Sequence, residues 1–246
     1  MRVVVVGATG LIGSRTVARL RDHGVEVVTV SRSEGVDVTT GKGLAEALRG
    51  AEVVVDVTDA PSRTDKESVE FFARATDTLV EAAATAGVEH YVVLSVVGAE
   101  RLEAGYFRAK LLQEDLVRRS RIPFSSLVRA TPFFESVEAM ALMNTYGDGV
   151  HAAPVLMRPV SADDVASEVA HVALGVPLFG VLEIAGPEEH RLDDLTAKLL
   201  AARGDMREVV IDADAPFFGA RIEERTLLPA PAAHLGHGTF AQWLAR

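Results

Sequence analysis

The sequence predicts an α/β protein with a doubly wound parallel sheet and helices on both of its faces. Short, continuous apolar runs rich in β-branched residues, the pattern of strands buried on both sides, recur along the chain. They alternate with segments of helical spacing, and that βαβα rhythm requires crossovers returning to the same sheet. The chain has 246 residues, 48% of them hydrophobic, enough for one large core with a small appended lobe.

The elements follow in order. Residues 1–6 are the first strand, and 11–23 a helix with apolar spacing at Leu11, Ile12, Thr16, Val17 and Leu20. Residues 25–30 are the second strand, 43–48 a short helix and 53–57 a third strand. A long helix spans 69–86, a buried strand 91–95, a helix 106–119 and another strand 125–129. After about Thr131 the rhythm loosens. Residues 133–145 and 191–203 are helical, 181–184 a strand, and the segment from Pro216 irregular until a short helix at 240–244. Ser161-Ala162-Asp163-Asp164 predicts a capping box opening a helix that runs to Leu174. The C-terminal part, about 131–246, is expected to pack on the rest as a substrate-binding lobe of one domain.

Charge and composition narrow the function. Lys and Arg total 25 against 35 Asp and Glu, a net charge of −10, which disfavours nucleic acid and anionic membranes as partners. The absence of Cys removes disulfides, thiol catalysis and cysteine metal sites, and fits the reducing cytoplasm. No signal-peptide pattern opens the chain, and no apolar run approaches the ~20 residues that span a bilayer. A small-molecule substrate, and a monomer or homodimer, are the expectation.

Gly7-Ala8-Thr9-Gly10-Leu11-Ile12-Gly13 lies between the first strand and the first helix. Glycines there let the backbone tighten and approach a pyrophosphate, which the helix N-terminus attracts through free N–H groups. In this context the turn predicts a Rossmann-type site for a nicotinamide dinucleotide, with Gly7, Thr9, Gly10, Leu11, Ile12 and Gly13 as its contacts. The second strand ends in Ser31-Arg32-Ser33, with no acid at the tip to hold ribose hydroxyls. Arg32 can fork onto a 2′-phosphate, which favours NADP(H) over the alternative NAD(H); a solvated surface arginine is the competing reading.

Tyr106-Phe107-Arg108-Ala109-Lys110 puts a phenol and an ammonium four residues apart, on one face of a predicted helix. The cation favours phenolate, which suits proton transfer to or from an alcohol. Ser95 ends the preceding strand and is the candidate for orienting a substrate carbonyl. The catalytic candidates are therefore Tyr106, Lys110 and Ser95, weighed against a core tyrosine and a solvated lysine.

With these residues in hand the chain resembles the atypical short-chain dehydrogenase/reductases of the NmrA-like, NAD(P)-binding type. The resemblance rests on the glycine turn, Asp37-Val38, Ala86-Gly87-Val88-Glu89-His90, Leu94-Ser95, the Tyr106–Lys110 motif, Arg129-Ala130-Thr131-Pro132-Phe133-Phe134 and Asp163-Asp164. It implies Asp37 and Val38 at the adenine and Thr58, Asp59 and Ala60 near the cofactor's middle. It also implies Thr131, Pro132 and Phe133 beside the nicotinamide, and Lys110 on its ribose. The chain departs from the pattern at Thr78, where relatives carry Asn, and at Pro132, where many carry Gln. The family includes members that bind NADP and catalyse nothing.

Phe133, Phe134, Met140 and Phe217 are the candidates for an apolar substrate pocket, with Met143 and Phe218 beside them. His234 and His237 read as solvated loop residues, and no metal is expected. The leading expectation is an NADP-dependent oxidoreductase acting on a small apolar or aromatic carbonyl, alcohol or enone. The alternatives are a non-catalytic NADP(H)-sensing regulator and, third, a sugar-nucleotide epimerase or dehydratase.

Overall fold

The computed structural model describes residues 1–62, 64–102, 105–178 and 180–246. The chain runs β1 (Arg2–Val6), α1 (Leu11–Asp22), β2 (Glu26–Val30), α2 (Leu44–Ala47), β3 (Val53–Asp56) and α3 (Asp65–Thr85). It continues through β4 (His90–Val96), α4 (Gly105–Arg118), β5 (Phe124–Ala130), α5 (Phe134–Met143), β6 (Thr145–Tyr146), β7 (Gly149–Ala152) and β8 (Leu156–Met157). Then follow α6 (Ala162–Leu174), β9 (Val181–Ala185), β10 (His190–Arg191), α7 (Leu192–Ala202), β11 (Val209–Ile211), β12 (His234–Leu235) and α8 (Phe240–Leu244).

Seven parallel strands form the central sheet in the order β12-β9-β5-β4-β3-β1-β2. The sheet is Rossmann-like and the fold class agrees with the sequence. Val3, Val5 and Val55 face a core closed by α1 and α6; Val4, Val54 and Tyr91 face one closed by α2, α3 and α4. Burial on both faces explains why these strands read as unbroken apolar runs. β1 has β2 on one side and β3 on the other, so the chain reverses direction across the sheet at β1. A crevice opens above the carboxyl ends of the strands at such a switch point.

In the six-stranded 3-2-1-4-5-6 order a further strand would lie outside β2. Here residues 36–43 are too short and glycine-rich to form one. They make a tight turn instead, with an isolated bridge between Asp37 and Lys42. The Asp37 carboxylate accepts hydrogen bonds from the backbone N–H and hydroxyl of Thr39 (2.8 and 2.7 Å), which hold its pKa below the usual carboxylate range.

The C-terminal part differs from expectation in three places. Thr145 leaves the predicted helix to enter β6, one edge of a three-stranded sheet with β7 and β11 that is too short to read as periodicity. His234 lies in a strand rather than a loop, because β12 pairs with β9 at the sheet edge. Ser161 does cap α6, accepting from the N–H groups of Asp163 and Asp164, but the reciprocal half of a capping box is missing. Asp164 instead accepts from the N–H groups of His237 and Gly238 (3.0 and 2.9 Å), tying the irregular segment to α6. The reciprocal box occurs at α8, between Thr239 and Gln242.

A third core joins the lobe to the sheet domain. It contains Phe72, Tyr106 and Phe107 together with Phe134, Val137, Met140, Leu195, Phe217 and Phe240. Among the described residues, no helix is long and apolar enough to cross a membrane.

Candidate active site

A cleft of about 580 Å³ opens at the carboxyl ends of the central strands. Its floor begins with the glycine turn: Gly7, Thr9, Gly10, Leu11 and Ile12 line it. The N–H groups of Gly7 and Ala8 donate to the Val30 carbonyl (2.9 and 3.3 Å), tying the turn to the end of β2. Gly7 has φ +84°, and a Cβ there would lie 2.8 Å from the Val57 carbonyl oxygen. Gly13 sits beneath the turn, where a Cβ would come within 2.0 Å of the Gly7 carbonyl oxygen, so α1 packs on the turn only because that position is glycine. α1 starts with no side-chain cap and no acidic residue in its first turn. Its first N–H groups have no intrahelical partner and face the cleft as an anion cradle.

Beyond the turn, Ser31, Arg32, Asp37 and Val38 line the end where adenosine is expected. Arg32 is exposed and makes no ion pair among the described residues. Glu34, three residues from Ser31, accepts hydrogen bonds from the Thr29 and Ser31 hydroxyls (2.6 and 2.7 Å), which draw its carboxylate back against β2. Ser33 does not line the cleft; its hydroxyl meets that of Ser31 (2.9 Å). In the middle, Thr58 and Asp59 line the wall after β3, while Ala60 is turned into the lobe core.

At the far end the cleft is lined by Tyr106, Lys110, Thr131, Pro132 and Phe133. Helical spacing brings Tyr106 and Lys110 to one face of α4, and both are buried, at 7% and 2% exposure. Lys110 Nζ stands 4.5 Å over the ring centre of Phe72 and donates to Gln113 Oε1. Aromatic rings form the rest of this wall: Phe71, Phe107, Phe217 and Phe218. Phe217 and Ala220 exchange backbone hydrogen bonds (2.8 and 3.0 Å) around a two-residue turn in which Phe218 and Gly219 both have positive φ, +47° and +80°. A bulky residue rarely adopts that backbone. Here it brings the Phe218 ring to 6.2 Å from that of Tyr106.

Of the remaining expected site residues, Ser95 lines the cleft and two stand elsewhere. The Ser95 hydroxyl is buried beside Glu114. Strand alternation turns it to the α4 face of the sheet, the helix that also carries Tyr106 and Lys110, and it lines the same cleft. Phe134 and Met140 are each 2% exposed and do not line the cleft. Phe134 packs on Phe240 and Trp243 of α8, at 5.6 and 6.0 Å between ring centres. Met143 is exposed, outside the cleft. Conversely, the sequence reading missed Phe71 and Phe107, since an aromatic residue on a helix satisfies the same apolar requirement whether it faces a cleft or a core. Among the described residues no group of three His, Asp or Glu side chains could hold a metal ion.

Glu114 anchors α4 to the sheet. It is fully buried and receives a two-pronged hydrogen bond from Arg129 of β5 (2.9 and 2.8 Å). Burial pushes its carboxyl up, but hydrogen bonds from Arg129 and Ser95 and the charges of Arg129 and Arg118 outweigh it and hold the pKa below its ordinary 4.5. A lowered folded-state pKa contributes stability that is present above pH 4.5 and is lost as pH falls through the lowered value. Glu114→Ala should cost about 3 kcal/mol, because Arg129 loses its buried partner, and lower Tm by roughly 6–12 °C at neutral pH. The deficit should shrink toward pH 3, as read by thermal unfolding across pH; a deficit independent of pH would rule out the ion pair as its source.

Fold and cleft together define an α/β protein with a Rossmann-like sheet and a glycine-turned cleft at its switch point. The NmrA-like family model matches residues 1–189, and the chain belongs to that family. Among curated proteins it is 31% identical over 225 residues to the (4-alkanoyl-5-oxo-2,5-dihydrofuran-3-yl)methyl phosphate reductase of Streptomyces griseus, covering 82% of this chain and 74% of that one. It is 30% identical to the chloroplastic divinyl chlorophyllide a 8-vinyl-reductase of Cucumis sativus, over 75% of this chain and 52% of the relative, so it spans about half that protein's length. A short-chain dehydrogenase/reductase superfamily protein from Agrobacterium tumefaciens, solved with bound NAD, shares the fold at TM-score 0.69 and 17% identity, over 100% of this chain and 95% of that one.

Proposed function

We propose that the protein is an NADP(H)-dependent reductase of small, apolar, conjugated carbonyl compounds, enones or quinones. One observation carries the reading: Tyr106 and Lys110 line the same cleft as the glycine turn, and aromatic rings surround them. NADPH supplies a hydride when bound. The chain's own residues do the rest. The turn and the start of α1 receive the pyrophosphate, and Asp37 and Val38 flank the adenine. Tyr106 donates the proton that neutralises the oxygen or carbon left negative by reduction, and Lys110 stabilises the phenolate that results. Ser95, which lines the same cleft, is the candidate for orienting the substrate oxygen. The ring wall excludes water and favours flat apolar substrates over sugar nucleotides. Both curated relatives are named as reductases, and the furan-ring substrate named for the first contains a conjugated carbonyl.

Arg32 supports NADP(H): its guanidinium is exposed just past the end of β2 and makes no ion pair among the described residues. Arg32→Ala should weaken NADPH binding about ten- to a hundredfold, the worth of a charge-assisted phosphate contact, and change NADH binding less than about twofold. Equal losses for both cofactors in a fluorescence titration would remove Arg32 from phosphate recognition. The activity itself is tested by NADPH oxidation over a panel of aldehydes, ketones, quinones and enones. Tight NADPH binding with no turnover on any acceptor would favour a cofactor-sensing regulator instead.

A further inference from the structure

The reaction end of the cleft is connected to a buried carboxylate that the mechanism above does not use. Asp56 ends β3 and is 1% exposed. Its Oδ1 accepts from the backbone N–H and the hydroxyl of Thr58 (3.0 and 2.7 Å). Its Oδ2 accepts from the Tyr91 phenol and from Gln113 Nε2, both at 2.9 Å. Every one of these contacts has Asp56 as acceptor, which suits the ionised form. Burial, and then the Asp56 charge beside it, push the Tyr91 phenol far above its ordinary range, so Tyr91 remains a donor.

Gln113 is the link. It is fully buried one turn beyond Lys110 on α4. Its Oε1 accepts from Lys110 Nζ while its Nε2 donates to Asp56. Ammonium can only donate and carboxylate can only accept, so the amide has a single orientation that satisfies both. Its dipole then lies with oxygen toward the cation and nitrogen toward the anion. Tyr106 and Glu114 stand one turn away from Lys110 on α4, and α3 places the ring of Phe72 against its Nζ. Glu114 is committed to Arg129 and Arg118.

We propose that Asp56, acting through Gln113, is the remote counter-charge that keeps buried Lys110 an ammonium and aims it at the Tyr106 side of the cleft. Asp56 and Gln113 are positioning residues, touching neither cofactor nor substrate. A buried lysine without an opposite charge loses its proton readily, and with it the power to stabilise phenolate. This inference rests on the reading of Tyr106 as proton donor, but its first test does not.

That test is a ¹³C-lysine NMR titration of the full-length protein. Lys42, Lys66 and Lys198, the other lysines, are all exposed, so the buried Lys110 signal is assigned by its absence in Lys110→Met. The native chain sets the reference midpoint for Lys110. Asp56→Asn should lower its titration midpoint by one pH unit or more. Asp56→Asn with Gln113→Glu, which restores a carboxylate directly against Lys110, should bring the midpoint back. If Asp56→Asn fails to fold, Gln113→Leu, which breaks the link and leaves Asp56 with Thr58 and Tyr91, should give the same downward shift. Where a reducible acceptor is found, the alkaline limb of kcat should move with the NMR midpoint while KM for NADPH stays unchanged. An unmoved midpoint in the single variants, or a double variant that does not recover, would overturn the proposal. An inactive native protein would count against the reductase reading and leave the titration to be judged alone.

Discussion

Tyr106→Phe is expected to cut turnover by about 10²–10⁴-fold and to leave NADPH binding within about twofold of the native value. The substitution removes one oxygen and retains the ring. That ring meets Phe72, Phe107 and Phe218 at 6.0, 6.3 and 6.2 Å between centres, and all three contacts survive in phenylalanine. Fold stability should therefore change by less than about 1 kcal/mol, so a loss of rate reports chemistry rather than collapse. The informative comparison is kcat against the cofactor dissociation constant: a residue that acts on the transferred proton lowers the first and spares the second. Native turnover in Tyr106→Phe would remove Tyr106 from the reaction, and weakened NADPH binding in step with rate would make it a cofactor contact.

The other large effect is expected at Gly13. A methyl group there would have to share space with the Gly7 carbonyl oxygen at 2.0 Å and the Ala8 Cα at 2.8 Å, both backbone atoms that cannot swing aside. Helix α1 must lift off the turn. Overpacking of this kind costs about 1–3 kcal/mol, which lowers Tm by several degrees. The larger consequence is for binding, because the N–H groups that face the cofactor move with the helix. Gly13→Ala should lose at least about tenfold in NADPH affinity, and the rise in Tm that saturating NADPH gives the native protein should shrink accordingly. A variant with a lowered Tm but a full cofactor-induced rise would show that the turn tolerates a displaced helix.

Why Gly13 could be read from sequence and Phe134 could not is a matter of physical uniqueness. A glycine between a buried strand and a helix is hard to replace, because only its missing side chain lets backbone meet backbone; its role is written in its identity. Phenylalanine at 133 and 134 satisfies the same apolar requirement whether it faces a cleft or a core. The decision is made by α8, which arrives from far along the chain and covers Phe134 but not Phe133. Ser95 was legible from its place at a strand's carboxyl end, where the cleft opens. Asp56 offered a signal that went unused, a carboxylate closing an otherwise apolar strand, which rarely stays buried without partners. The short sheet of β6, β7 and β11 left no trace because two to four residues cannot establish a period.

The strand β12 and helix α8, held to α6 through Asp164, put a late segment of the chain behind an early one. During synthesis the N-terminal portion emerges first. The glycine turn and its β1-α1-β2 frame are complete before Phe217 and Phe218 exist, and before α8 can prop the residue next to Phe133. The nascent chain therefore acquires the glycine turn well ahead of the aromatic wall at the other end of the cleft. A cofactor captured at that stage would find its far end bare to water, and the reaction chamber would form around it as the remaining strands dock.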